Sequence, residues 1–296
     1  MGRVTTERLV QRRLLGSEPT RQPDVLAVEE PLELRIHGRS LAVTMRTPGD
    51  DFDLAAGFLV SEGVVAGSEE LASMRYCAGT EDDGINRYNL LDLVLAPGVA
   101  PPAPGVERAF LTTSSCGLCG KATIDAVRTR SRFDLEADAT RVDPAWIAGL
   151  PEQLRAAQAV FEKTGGLHGA ALFDATSGEL LAIREDVGRH NAVDKVIGWA
   201  FRQGRLPLKA TVLLVSGRAS FELVQKAYMA GIPFLAAVSA PSSLAVDLAL
   251  ESGMTLIGFL RSPSMVVYSG ERRLAEPGNH NVNETAPVGG KVQGSG

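Results

Sequence analysis

Between residues 169 and 259 the chain repeats one pattern: a short apolar run, a turn rich in Ser, Gly or Pro, then a segment with helical spacing. The runs at 211–215, 234–238 and 254–259 are continuous and apolar, which is how strands covered on both faces read. Val193, Val196, Ile197, Ala200 and Phe201 fall on one helical face before the first run, and 221–230 forms a second helical segment between the first two. Residues 170–173 and 180–183 precede them as a hairpin. Strands alternating with helices imply right-handed crossovers and a largely parallel sheet. The expected fold is therefore α/β, a layered sheet with helices on both faces. With 296 residues, 45% of them hydrophobic, the chain can bury such a sheet.

The earlier part of the sequence reads differently. Leu32, Leu34 and Ile36 alternate, as do Leu41, Val43 and Met45, on either side of His37-Gly38-Arg39, which predicts a β-hairpin. Leu54, Ala55, Phe58 and Leu59 share one face of a helix over 54–61 that Gly63 ends, and 88–95 reads as a strand. The Pro- and Gly-rich stretch 97–105 continues neither a helix nor a central strand and marks a boundary. Asp143 then caps a helix with Pro144 at its first position and Ile147, Leu150, Leu154 and Phe161 as its buried stripe. The expected organisation is an N-terminal arm without periodicity over 1–30, a smaller β-rich domain over 31–105, an α/β domain over 106–275, and a flexible tail over 276–296.

A formal net charge of −5 supplies no global attraction for nucleic acid. No apolar run is long enough to span a bilayer, and Arg3, Arg8, Arg12 and Arg13 are not followed by a signal-peptide hydrophobic segment, so a cytoplasmic location away from membranes is expected. Three cysteines, Cys77, Cys116 and Cys119, are too few for a disulfide scaffold and suit a reducing compartment.

Chemistry concentrates in a few loops. Cys116 and Cys119 stand three positions apart, flanked by Gly117 and Gly120 and preceded by Thr112, Thr113, Ser114 and Ser115, an open and polar setting that gives access to sulfur. Lys121 and a helical 121–130 would favour a thiolate, which attacks sulfur donors and can hold an extra sulfur as a persulfide. A buried apolar pair, a redox disulfide and half of a zinc site compete with that reading. Zinc normally takes four ligands, and beyond Cys77 and His168 the chain offers no second CxxC or His pair, so no structural metal is expected. His168 lies in a glycine-rich turn, either as a proton donor or as a histidine satisfied by backbone. Residues 185–191, with Arg189 and His190, form a polar cluster between a strand and a helix, where Asp186 or Asn191 also suits a cap. Ser216, Gly217, Arg218 and Ser220 leave one strand and open a helix, the geometry that holds anions, although Ser220 is equally an ordinary N-cap; Ser239 to Ser243 repeat the arrangement.

Taken together, 116–120, the stretch EDVGRHNAVDKVIG at 185–198, 216–220 and 238–244 resemble the formate dehydrogenase accessory sulfurtransferases, the FdhD family, over about residues 32–274. The resemblance implies a cytidine-deaminase-like fold and a sulfur carrier. It takes sulfur from a cysteine desulfurase and hands it to the molybdenum or tungsten bis-pyranopterin guanine dinucleotide (Mo-bis(molybdopterin guanine dinucleotide)) cofactor, bound as substrate, before insertion into the formate dehydrogenase catalytic subunit. It further implies a homodimer, Cys116 as persulfide carrier with Cys119 assisting, and cofactor contacts from Phe259, Leu260, Arg261, Ser262, Pro263 and Ser264, with GDP as a mimic of the nucleotide end. Deamination is not expected, because His168 is followed by Gly-Ala-Ala rather than x-Glu and no Pro-Cys-x-x-Cys follows. The alternatives are a cofactor chaperone without sulfur chemistry and a thiol redox protein.

Overall fold

The computed structural model describes residues 3–77, 88–102 and 131–275. Cys116, Cys119, the helix expected over 121–130, the end of the Pro-rich stretch and the tail lie outside the described residues.

A six-stranded sheet in the order β12-β11-β10-β9-β7-β8 forms the body. Its strands are β7 (His168–Asp174), β8 (Leu180–Asp186), β9 (Thr211–Val215), β10 (Phe234–Ala237), β11 (Thr255–Arg261) and β12 (Ser264–Ser269). The apolar runs β9, β10 and β11 are parallel neighbours, as their composition predicts. The sheet as a whole is mixed rather than largely parallel, because β7, β8 and β12 join by antiparallel pairing. Hairpins at both ends of the strand order cause this, and β12 is an edge strand with only intermittent burial that carries no clear apolar signal.

Helices cover both faces. Ala170, Leu172, Leu213, Val215, Leu235 and Leu256 face a core shared with α5 (Arg189–Arg202) and α6 (Phe221–Met229). Ala171, Phe173, Val212, Leu214, Phe234 and Ile257 face a second core with Ile147, Leu150 and Leu154. The single helix expected after Asp143 is three short pieces, α2 (Pro144–Ala148), α3 (Leu150–Ala157) and α4 (Ala159–Thr164). Asp143 does cap α2, accepting from Ala145 N at 2.8 Å, but Pro151 and the non-helical ψ of 75° at Gln158 interrupt the run. The next helix after α6 is α7 (Ser243–Glu251).

A four-stranded sheet, β4-β3-β6-β5, is built from β3 (Glu30–Ile36), β4 (Arg39–Arg46), β5 (Leu71–Tyr76) and β6 (Leu90–Leu95). His37 and Gly38, with φ of 49° and 78°, form the left-handed two-residue turn that the hairpin requires. Within the N-terminal arm, β1 (Thr5–Arg12) pairs antiparallel with β2 (Thr20–Ala27). No residue of this ribbon is fully buried, so its sequence shows no alternation.

The two sheets share one core through α1 (Asp51–Ser61), which crosses α5 with the two backbones touching. A Cβ on Gly57 would stand 1.8 Å from Asp194 O, and one on Gly198 1.7 Å from Asp53 O. Charges lock the crossing. Fully buried Asp186 receives Lys195 Nζ at 2.7 Å, Thr47 N at 3.1 Å, Gly188 N at 2.8 Å and Asn191 Nδ2 at 3.0 Å. Lys195 also donates to Thr47 O at 2.9 Å, and Asn191 to Met45 O at 2.7 Å. Asp194 binds Lys226 Nζ at 2.8 Å and the Ser61 hydroxyl at 2.7 Å. Among the described residues no helix is long and apolar enough to cross a membrane.

Two outcomes are expected from this seam. Gly198→Ala forces the helices apart and lowers stability by about 3 kcal/mol in urea unfolding; an unchanged midpoint would show the crossing to be loose. Lys195→Met leaves Asp186 as an uncompensated buried charge and costs about 3–5 kcal/mol, much of which returns when Asp186→Asn is added.

Candidate functional site

The carboxyl ends of β8, β9, β10 and β11 lie along one edge of the six-stranded sheet, where β7 begins with His168 paired to Asp186. Parallel neighbours put the loops that follow them side by side, and backbone hydrogen bonds stitch those loops together. Ser216 N donates to Gly169 O at 2.9 Å, and Gly169 N to Ser216 Oγ at 2.9 Å. Ser239 N donates to Gly217 O at 3.3 Å, Ala219 N to Ala240 O at 3.2 Å, and Phe259 N to Ser239 O at 3.1 Å. Most of the residues expected to bind a ligand are thereby gathered on this edge.

Two groups can be distinguished. His168, Arg189, His190, Ser216, Gly217 and Ser220 converge where β7 and β9 meet the starts of α5 and α6. A Cβ on Gly217 would lie 3.6 Å from His168 Nδ1, and Ser220 Oγ lies 3.4 Å from His190 Nε2. Arg218 is exposed on the same loop. The second group belongs to β11 and its turn into β12: Phe259, Arg261, Ser262, Pro263 and Ser264 are exposed, with Arg261 paired to Ser264 across the turn. Leu260 departs from the expectation. Its side chain is fully buried beside Ile257 in the second core, because the irregularity of β11 at Phe259, where φ is 49° and the register with β12 shifts, breaks the strand alternation and turns it inward; only its backbone is left for a ligand.

The helix starts along this edge are unequal. At α7, Ser242 Oγ accepts from Ala245 N at 3.3 Å, so the turn at 239–243 spends its hydroxyl as an ordinary cap. At α5 the N-cap is Gly188, without a side-chain cap, and at α6 the Ser220 hydroxyl turns away from the helix toward His190. Adjacent α5 and α6 therefore present amides and positive helix ends to the edge. Arg189 Nε is buried there without a hydrogen-bond partner. Burial first, then Arg189 and His190, push the His168 imidazole below its ordinary value, so the ring is neutral at neutral pH.

The polar cluster 185–191 thus divides. Asp186 and Asn191 hold α5 in the seam, whereas Arg189 and His190 face the edge. Sequence reasoning passed over Glu222, in the first turn of α6, whose Oε2 lies 3.7 Å from His190 Nε2. An acidic residue in a first turn is ordinarily a favourable partner of the helix dipole, so its position alone gave no signal. Val238, which follows β10, and Leu244, at the start of α7, are exposed large apolar residues, as Phe259 is. Phe259 has φ of 49°, a left-handed backbone that a bulky residue adopts only where its surroundings enforce it. Among the described residues no group of His, Cys, Asp and Glu is placed to hold a metal ion.

Comparison with known proteins places this architecture. The model of the FdhD/NarQ family matches residues 27–275. A sulfur carrier protein FdhD of Streptomyces avermitilis is 63% identical over 276 residues, covering 93% of this chain and 97% of that protein. A protein of the same name from Mycobacterium tuberculosis is 57% identical over 277 residues, covering 93% of this chain and all of its own length. The crystal structure of a protein assigned as a formate dehydrogenase accessory protein from Desulfotalea psychrophila superposes with a TM-score of 0.71 at 21% identity, covering 92% of this chain and 100% of that one, and shows the same fold. With most of its length matched by the family model and by these relatives, the chain belongs to the FdhD/NarQ family.

Proposed function

We propose that this protein is a sulfur carrier for formate dehydrogenase. It accepts sulfur from a cysteine desulfurase as a persulfide on Cys116, assisted by Cys119, and delivers it to the molybdenum or tungsten bis-guanine dinucleotide cofactor bound as substrate. In loading, the Cys116 thiolate attacks the outer sulfur of the donor's persulfide, a new S–S bond forms, and the donor cysteine leaves as its thiolate. The strand-end edge is the seat of the nucleotide.

The observation that carries the reading is the pairing, on one edge, of an anion cradle at α5 and α6 with an exposed aromatic two strands away. β9 and β11 are separated by β10, so these two strands stand about 9–10 Å apart, two strand spacings. A phosphate alone does not bridge that gap, whereas a nucleotide does. Its phosphates meet the amides of α5 and α6, Arg189 and Arg218, and its base lies on Phe259 and the apolar rim of Val238 and Leu244. The names of the relatives support the sulfur-carrying half of the reading.

Intact mass after incubation with a cysteine desulfurase and cysteine is expected to show added sulfur on the wild type and none on Cys116→Ala; sulfur mapped only to Cys77 overturns the assignment. If formate dehydrogenase is still activated when both thiols are removed, the protein is a cofactor chaperone instead. Calorimetric titration is expected to show GDP binding to the wild type, weakened roughly tenfold to hundredfold in Arg218→Ala through loss of one charge-assisted contact. Sulfur loading of Arg218→Ala stays at the wild-type level. No GDP binding by the wild type removes the nucleotide reading.

A further inference from the structure

Resting on the nucleotide reading of this edge, we propose that Glu222 sets an affinity threshold for anions at this site: its carboxylate competes with a ligand phosphate for His190 at the start of α6. The edge is thereby closed to free phosphate and opened by a nucleoside diphosphate.

His190 Nε2 lies 3.7 Å from Glu222 Oε2, at ion-pair distance, and 3.4 Å from the Ser220 hydroxyl. A hydroxyl, an imidazole and a helix-start amide are the donors that hold phosphate in a helix N-terminal site. Here the imidazole already faces an anion supplied by the chain, and the Ser220 hydroxyl, at the N-cap of α6, is turned to the same imidazole rather than capping the helix. The His190 imidazole holds the Glu222 carboxyl down at about 2, so the charge is present at any physiological pH. The side chain is half exposed, at 51%, and is free to swing into solvent when another anion arrives.

Displacing the carboxylate costs every incoming anion the same free energy, because the contact with His190 that is lost and the repulsion met do not depend on what the anion carries. The consequence differs between ligands. Inorganic phosphate and pyrophosphate have only the cradle to hold them. A nucleoside diphosphate also reaches the apolar rim at Phe259 and retains useful affinity after paying the same cost. Glu222 therefore acts as a threshold that ambient phosphate fails to pass.

The test is titration of GDP, inorganic pyrophosphate and guanosine into wild type, Glu222→Gln and Glu222→Ala, with thermal unfolding of all three proteins. The charge is exposed, so both variants are expected to fold. Removing one negative charge at ion-pair distance from the ligand, in a partly hydrated site, should tighten GDP and pyrophosphate about tenfold and leave guanosine unmoved. A merely structural role for Glu222 would weaken all three ligands together. If GDP binds the wild type and the variants bind GDP and pyrophosphate no tighter, Glu222 is not the competing anion and the nucleotide reading stands. If GDP binds neither the wild type nor the variants, both fall. If it binds only the variants, the carboxylate is what closes the site.

Discussion

The crossing of α1 over α5 is the constraint on which the rest of the molecule depends. Gly57 and Gly198 let the two backbones touch, and the buried charges of Asp186, Lys195, Asp194 and Lys226 hold them at that distance. Through this crossing the four-stranded sheet and the six-stranded sheet share a core. It also sets where α5 begins, and hence where Arg189 and His190 stand. Buried ion pairs seldom add net stability over well-packed apolar groups, but the desolvated charges of a seam like this one penalise any other register between the helices. An edge that positions side chains from four elements needs that uniqueness.

The edge itself follows from parallel pairing. Because β9, β10 and β11 run the same way, their following loops open on one side, and two of them lead into helices. What each helix start offers is decided by a single hydroxyl. Ser242 closes α7 by capping it, whereas Ser220 is drawn aside by His190 and leaves α6 to Glu222. Two Ser-rich turns that look alike in sequence therefore have different chemistry, and the proposed anion cradle is confined to α5 and α6.

Much was legible in the sequence. The continuous apolar runs gave β9, β10 and β11, the alternation about His37-Gly38 gave β3 and β4, and the turns at 216–220 and 239–243 fell at strand ends as their composition required. These signals are local, since burial of a strand on both faces or a left-handed turn leaves its mark within a few residues. The β1–β2 ribbon left no mark because none of its residues is fully buried, and β12 left little because it lies at an edge. The helix expected after Asp143 broke into three because Pro151 and Gln158 interrupt a stripe whose apolar spacing alone reads as continuous.

Within the candidate site the division is sharper. The sequence by itself determined which residue types are available: the two thiols at Cys116 and Cys119, the arginines and histidines of the loops, and the strand-to-helix turns that suit phosphate. Only the tertiary structure decided their roles. Asp186 and Asn191 went to the helix seam while Arg189 and His190, interleaved with them in sequence, went to the edge. Leu260 went into the core between the exposed Phe259 and Arg261. Glu222 became a partner of His190 from a different helix. The physical reason is that periodicity and turn chemistry report on a residue's own backbone, whereas the partner of a charge or hydroxyl is set by which elements pack against it.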